Sequence, residues 1–206
     1  IDFGMNCKIE VADSAANFSA LFLINQDIKY NFFTKGNVEI DLKNKAACGL
    51  YIRRSTTGIG GIVNISNVSI SNVYRYNEFN TPARGISIIG EFATIFINKC
   101  IVNNVFWQNG ANIYGQEAKG IVVAELIGDV YITDCLVTGV NSDVHDADAY
   151  AVMAKYKSGV GSETYGRAFI KNCIARNCKG RSVKSQCSNT FVDGLTVLRN
   201  TLVSID

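Results

Sequence analysis

The sequence predicts an all-β chain, a right-handed single-stranded parallel β-helix with about three strands per coil, and three observations carry that expectation. One nine-residue pattern recurs down the second half of the chain. A short strand-like segment, led in most copies by glycine, precedes it each time. The strand-favouring residues Val, Ile, Thr, Tyr and Phe dominate, with 18 Gly and a single proline, Pro82.

The pattern is clearest in Ile65-Ser-Asn-Val-Ser-Ile-Ser-Asn-Val73, Ile97-Asn-Lys-Cys-Ile-Val-Asn-Asn-Val105 and Ile132-Thr-Asp-Cys-Leu-Val-Thr-Gly-Val140. Weaker copies are Ile170-Lys-Asn-Cys-Ile-Ala-Arg-Asn-Cys178 and Val192-Asp-Gly-Leu-Thr-Val-Leu-Arg-Asn200. The shared form is apolar, x, Asn/Asp/Gly, apolar, x, apolar, x, Asn/Gly, apolar, and only Lys99 and Arg199 break its polar turn positions. Starts at 65, 97, 132, 170 and 192 lie 32, 35, 38 and 22 residues apart. That spacing is too irregular for leucine-rich or hexapeptide repeats, whereas a β-helix tolerates it by varying its loops.

The segments ahead of the pattern are Gly49-Leu-Tyr-Ile52, Gly85-Ile-Ser-Ile88, Gly120-Ile-Val-Val123 and Tyr150-Ala-Val-Met153, with Arg181-Ser-Val183 as a frayed last version. Period-two alternation sends Val63, Ile65, Val68 and Ile70 inward in one coil and Ile95, Ile97, Cys100 and Val102 inward in the next. A two-residue turn is expected between second and third strands. Its second position reads Asn67, Lys99, Asp134, Asn172 and Gly194, and Asn, Asp and Gly tolerate left-handed backbone angles. The first 48 residues fit less well, yet Asp2 to Val11, Ala20 to Ile24 and Val38 to Leu42 read as strands of earlier coils. One domain, residues 1–206, accounts for the length.

The same register stacks Cys100, Cys135 and Cys173 at one inward position. A ladder of free thiols packed as small apolar groups is expected there, with a disulfide pair or metal stack as the alternative. All seven cysteines lack the paired short spacings of zinc ligands. Outward, Phe96, Tyr131, Phe169 and Phe191 share one position of the second strand, and Ser69, Ile101, Leu136, Ile174 and Thr196 share one position of the third. Together they predict an apolar strip along the axis that another subunit or a further segment covers. A sugar-stacking platform is the second reading of the aromatic row.

A net charge of +2, from 20 basic and 18 acidic residues, gives no broad footprint for nucleic acid. No apolar run reaches the roughly 18 residues a spanning helix needs, so no membrane crossing is expected. The chain opens at Ile1 without a Met or a basic-then-apolar leader, and is read as a piece of a longer chain.

This coil pattern with its Asn-rich turns resembles the pectate-lyase-like β-helix superfamily and, within it, the bacteriophage tailspike depolymerases, over roughly residues 38 to 206. The resemblance rests on repeat architecture rather than on a diagnostic motif. It implies a homotrimer of parallel β-helices on a virion tail or in an extracellular setting, binding bacterial surface polysaccharide and cleaving it by hydrolysis or lysis. The strip of Phe96, Ile101, Tyr131, Leu136, Phe169, Ile174 and Phe191 is what such a trimer would use. No family-wide catalytic signature carries over, so site residues come from local chemistry.

Long connections are expected at Tyr74 to Arg84, Phe106 to Lys119 and Asn141 to Tyr150. The last holds the only histidine, His145, among Asp143, Asp146 and Asp148. Glycoside hydrolysis needs one carboxyl as acid and another as base or nucleophile, which makes Glu117, Asp143, Asp146 and Asp148 the catalytic candidates. A solvated Asx-type turn explains any single one of them equally well. No cofactor is expected; calcium is the second reading of the three aspartates, although the loop lacks the glycines that shape a cage. Glu125, Lys155 and Tyr156 are expected across a groove to bind an acidic glycan, and Lys155, Tyr156 or His145 would serve as base in a lyase. Trp107, Tyr114 and Tyr150 are the sugar-stacking candidates. A non-catalytic receptor-binding spike or adhesin, and a lyase or epimerase, stand beside the endoglycosidase reading.

Overall fold

The computed structural model describes residues 2, 4–15, 20–25, 32–54, 59–75, 82–108, 118–142, 147–155 and 165–200, with backbone alone at 23–25 and 32. After β1 (Cys7–Glu10) the strands come in triplets: β2 (Phe22–Asn25), β3 (Phe32–Phe33) and β4 (Val38–Asp41), then β5 (Cys48–Arg53), β6 (Gly60–Ser66) and β7 (Val68–Arg75). Next are β8 (Arg84–Ile89), β9 (Phe92–Asn98) and β10 (Ile101–Trp107), then β11 (Ala118–Leu126), β12 (Asp129–Thr133) and β13 (Leu136–Ser142). The last are β14 (Ala147–Ala154), β15 (Arg167–Lys171) and β16 (Ile174–Arg176), then β17 (Val183–Ser185), β18 (Asn189–Asp193) and β19 (Thr196–Leu198).

Each strand pairs in parallel with its counterpart one coil away, so the first, second and third strands of the triplets build three sheets. The first and second sheets have six strands each, and the third, which includes β1, has seven. The described residues contain no helix. This is the expected β-solenoid with three strands per coil. The one strand of the early coils that the sequence pattern did not show is β3.

Corner chemistry closes each coil. Asn67, Lys99, Asp134, Asn172 and Gly194 have φ of 56°, 51°, 53°, 51° and 66°, the left-handed conformation expected at the turn between second and third sheets. The second polar position of the pattern is left-handed too: Asn72, Asn104, Gly139, Asn177 and Arg199 have φ of 57°, 58°, 67°, 52° and 55°. There it bends β7, β10 and β13 within the strand rather than ending them. Side-chain amides tie adjacent rungs, Asn72 Nδ2 donating to Asp41 Oδ1 at 2.8 Å and Asn104 Nδ2 to Asn72 Oδ1 at 2.8 Å.

Val63, Ile65, Val68, Ile70, Ile95, Ile97, Cys100 and Val102 all face the core, as alternation requires. Gly85 and Gly120 let the first sheet approach the third: a Cβ on either would stand 2.3 Å from Val102 Cγ1 or Val137 Cγ1. The thiols of Cys100, Cys135 and Cys173 donate back to the carbonyls of Ile65, Ile97 and Ile132, at 3.7, 3.6 and 3.5 Å. All seven cysteines are free. A hydrogen bond toward the Cys100 sulfur pushes the Cys135 thiol up to about 12, helped by burial.

Three expectations need correction. The long connections are shorter than the sequence suggested, because third strands run on to Arg75, Trp107 and Ser142 and first strands begin at Arg84, Ala118 and Ala147. The later glycine-led segments are also offset by one residue, since Ile121 pairs with Tyr150 and Tyr150 with Val183, which aligns Gly120 with Ala149. Finally, the two outward ladders do not adjoin as one strip. The row of Asn98, Thr133 and Lys171 and the exposed turn residues Lys99, Asp134 and Asn172 run between them.

Candidate functional site

Register alone brings a row of charge together at the start of the first sheet. Cys48 pairs with Arg84, Arg84 with Lys119, and Lys119 with Asp148. The next rung carries Arg181, whose carbonyl accepts from Ala149 N at 2.9 Å. These residues share the sheet's outer side with Ser87, Val122 and Ala151, which are buried yet lie outside the core cluster. Arg84 Nη1 donates to Ser87 Oγ at 3.1 Å along that side.

Asp148 is the centre of the row and has no exposed surface. Arg181 Nε donates to Oδ1 at 2.8 Å and Nη2 to Oδ2 at 3.4 Å, while Lys119 Nζ stands 3.6 Å from Oδ2. Both oxygens are therefore engaged by cations, and a buried charge persists only when paired in this way. Burial pushes the Cys48 thiol, two rungs from Lys119, up to about 12.

Of the other sequence-derived site residues, Trp107 closes β10 and has no exposed surface, so its ring presents no face to a ligand. Tyr150 points across the interior, its hydroxyl within reach of Cys135 O at 2.9 Å and Ile174 O at 2.8 Å. Burial raises that phenol strongly, and the side chain braces the first sheet against the Asn corner. Glu125 is exposed at a β-bulge of β11, with φ of 58° and a register shift between Ala124 and Leu126, not in a turn after the strand. Lys155 is exposed and paired with Glu91, whose hydrogen bond raises the ammonium above its ordinary range. Asp148 and Tyr150 sit in β14, on opposite sides of the sheet. Tyr114, Glu117, Asp143, His145, Asp146 and Tyr156 lie outside the described residues.

Lys119 and Arg181 were missed at the sequence level. Their signal was position: each immediately precedes a small residue at or near the start of a first strand, as do Arg84 and Asp148. No group of three or more metal-ligating side chains assembles among the described residues.

The second sheet presents a different surface. Phe96, Tyr131, Phe169 and Phe191 stack rung on rung, with centroids 5.1, 4.7 and 4.9 Å apart and planes inclined by 16°, 7° and 7°. Stacking consumes both faces of Tyr131 and Phe169 and one face each of Phe96 and Phe191, and ring faces are what a sugar packs against. Arg167 lies over the Phe169 ring and forks onto Asp129, Nε to Oδ1 at 2.9 Å and Nη2 to Oδ2 at 2.6 Å.

The chain matches no protein family, no curated protein and no solved structure.

Proposed function

We propose that this β-helix is a spike-type protein that binds bacterial surface polysaccharide and cleaves it as an endoglycosidase, on the side where the connections leave the third sheet for the first. One observation carries the reading. Arg75, Trp107 and Ser142 occupy one register row, and Arg84, Lys119 and Asp148 another. The segments that hold Tyr114 and Glu117, and Asp143, His145 and Asp146, therefore start and end on adjacent rungs, about 4.8 Å apart in a β-sheet. Carboxyls carried by such neighbouring segments are candidates for the acid and base of glycoside hydrolysis. The exposed rows of Phe96 and Phe191, and of Ile101 and Ile174, support a parallel homotrimer on a virion tail or in an extracellular setting.

A non-catalytic receptor-binding spike is favoured by a specific observation: Asp148, the one catalytic candidate within the described residues, is held between two cations. A panel of capsule and O-antigen polysaccharides separates the readings. On the substrate that is cut, Glu117→Gln, Asp143→Asn and Asp146→Asn are assayed singly, and at least two should lower the rate by roughly 10²- to 10⁴-fold. Unchanged cleavage in all three sinks the assigned site, and binding without cleavage by the wild type gives the adhesin reading. An unsaturated, ultraviolet-absorbing product identifies a lyase.

A further inference from the structure

The outer side of the third sheet carries a second, shorter ring stack that stops early. Tyr74 and Phe106 occupy one outward row, with centroids 5.5 Å apart and planes inclined by 25°. The next rung of that row is Asn141, too small to cover the far face of Phe106. An open cleft of about 510 Å³ begins there, bounded by Phe106 and Asn141 and continuing over Asn177, Lys179 and Arg199 on the following coils. Its volume falls within the range of small-ligand sites.

The chemistry of the walls is one-sided. Lys179 and Arg199 supply two cations, Asn141 and Asn177 supply carboxamides, and no Asp or Glu is among the described lining residues. Asn141, Asn177, Lys179 and Arg199 are all exposed; Asn141 Oδ1 accepts from Ser142 N at 2.8 Å, which leaves its Nδ2 to a ligand. Lys179 is also held in place, its ammonium donating to Ser142 O, which fixes one charge at the mouth of the cleft. A ring face beside two cations and two amides matches a ligand that offers a flat array of C–H groups, hydroxyls and a negative charge.

The geometry points to this cleft as a subsite for an acidic sugar unit, stacked on Phe106, its carboxylate or sulfate taken by Arg199 and Lys179 and its hydroxyls by Asn141 and Asn177. The inference rests on the polysaccharide-binding reading above and adds its substrate class. The open face of Phe106 borders a cleft whose walls carry two cations and two carboxamides.

The test is direct binding by calorimetry. Tetragalacturonate and 3′-sialyllactose are compared with their neutral counterparts, methyl-esterified tetragalacturonate and lactose. Wild-type protein should bind at least one acidic member more tightly than its counterpart. Arg199→Asn suits the left-handed backbone at that position, where Asn177 occupies the preceding rung, and removes the charge. Arg199→Asn and Lys179→Gln should each weaken the acidic ligand roughly tenfold or more while leaving the neutral one unchanged. Phe106→Ala should weaken both. Fluorescence of the single tryptophan, Trp107, checks that every variant is folded. Equal affinity for acidic and neutral members, or no loss in Arg199→Asn and Lys179→Gln, overturns the subsite while polysaccharide binding stands. Absence of any saccharide binding overturns both.

Discussion

Two aspartate–arginine pairs sit on the outer sides of two sheets of the same solenoid. Arg181 and Asp148, on the first sheet, have side chains 16% and 0% exposed; Arg167 and Asp129, on the second, have side chains 53% and 23% exposed. Both are forked, and the exposed pair has the shorter second contact, 2.6 Å against 3.4 Å. What separates them is solvent. Around Asp129 water competes with the partner and screens it, so pairing adds little. Around Asp148 no water is available, and Lys119 and Arg181 are the groups that replace it. The outer side of the first sheet is thus built as interior, and that of the second as surface.

Replacing each carboxylate tests this difference most severely. Asp148→Asn leaves two cations facing a neutral amide in a buried site and is expected to cost about 3–5 kcal/mol. Asp129→Asn should leave the denaturation midpoint almost unmoved. Urea unfolding followed by Trp107 fluorescence reads both. A neutral Asp148→Asn would show that the row is not held by charge, and loss of polysaccharide cleavage at full stability would move Asp148 from anchor to chemistry.

The same contrast explains how much the sequence revealed. The surface built on the second sheet was legible because its rows repeat one residue type at one position: the ladder of Phe96, Tyr131, Phe169 and Phe191 and the left-handed turn from Asn67 to Gly194 both follow from alternation and turn chemistry. The row at the start of the first sheet does not keep one residue type. Arg84, Lys119, Asp148 and Arg181 differ in sign, and the row emerges only when the coils are in register. Tyr150 closes the segment from Asn141 that reads as a loop, which makes it a sugar-stacking candidate; β14 instead begins at Ala147 and carries Tyr150 into the core as a brace. Trp107 was misread for a related reason, because the bend at Asn104 hides the continuation of β10 in what looks like a turn.

The ring ladder gives a graded test of the surface side. Tyr131 stacks on both neighbours, whereas Phe191 stacks on one. Tyr131→Ala should cost roughly 1–3 kcal/mol beyond burial and Phe191→Ala about half as much, from 0.5–1.5 kcal/mol per stacked pair. Measuring both over a hundredfold range of protein concentration adds a second readout. If the ladder seats a neighbouring subunit, the loss grows with protein concentration and shrinks on dilution, since association stabilises the wild type by mass action. A loss that is independent of concentration and equal for the two variants would deny the ladder both roles.

The smallest expected effect concerns Lys99, the one lysine in the turn row. Its φ of 51° is the conformation that Asn67, Asp134 and Asn172 adopt in other coils, and its backbone N–H is already committed to Thr133 O at 3.1 Å. A left-handed conformation costs an ordinary side chain roughly 1–2 kcal/mol, and less when a short polar side chain can bond locally. Lys99→Asn keeps the backbone bond and supplies such a side chain, placed between Asn67 and Asp134 on the adjoining rungs. There it can repeat the link that Asn172 Nδ2 makes to Asp134 Oδ1 at 3.3 Å. The variant should gain about 0.5 kcal/mol in urea unfolding, and the opposite change, Asn172→Lys, should lose a similar amount. A gain in one without a loss in the other would mean that neither the backbone conformation nor the amide link decides the residue at this row.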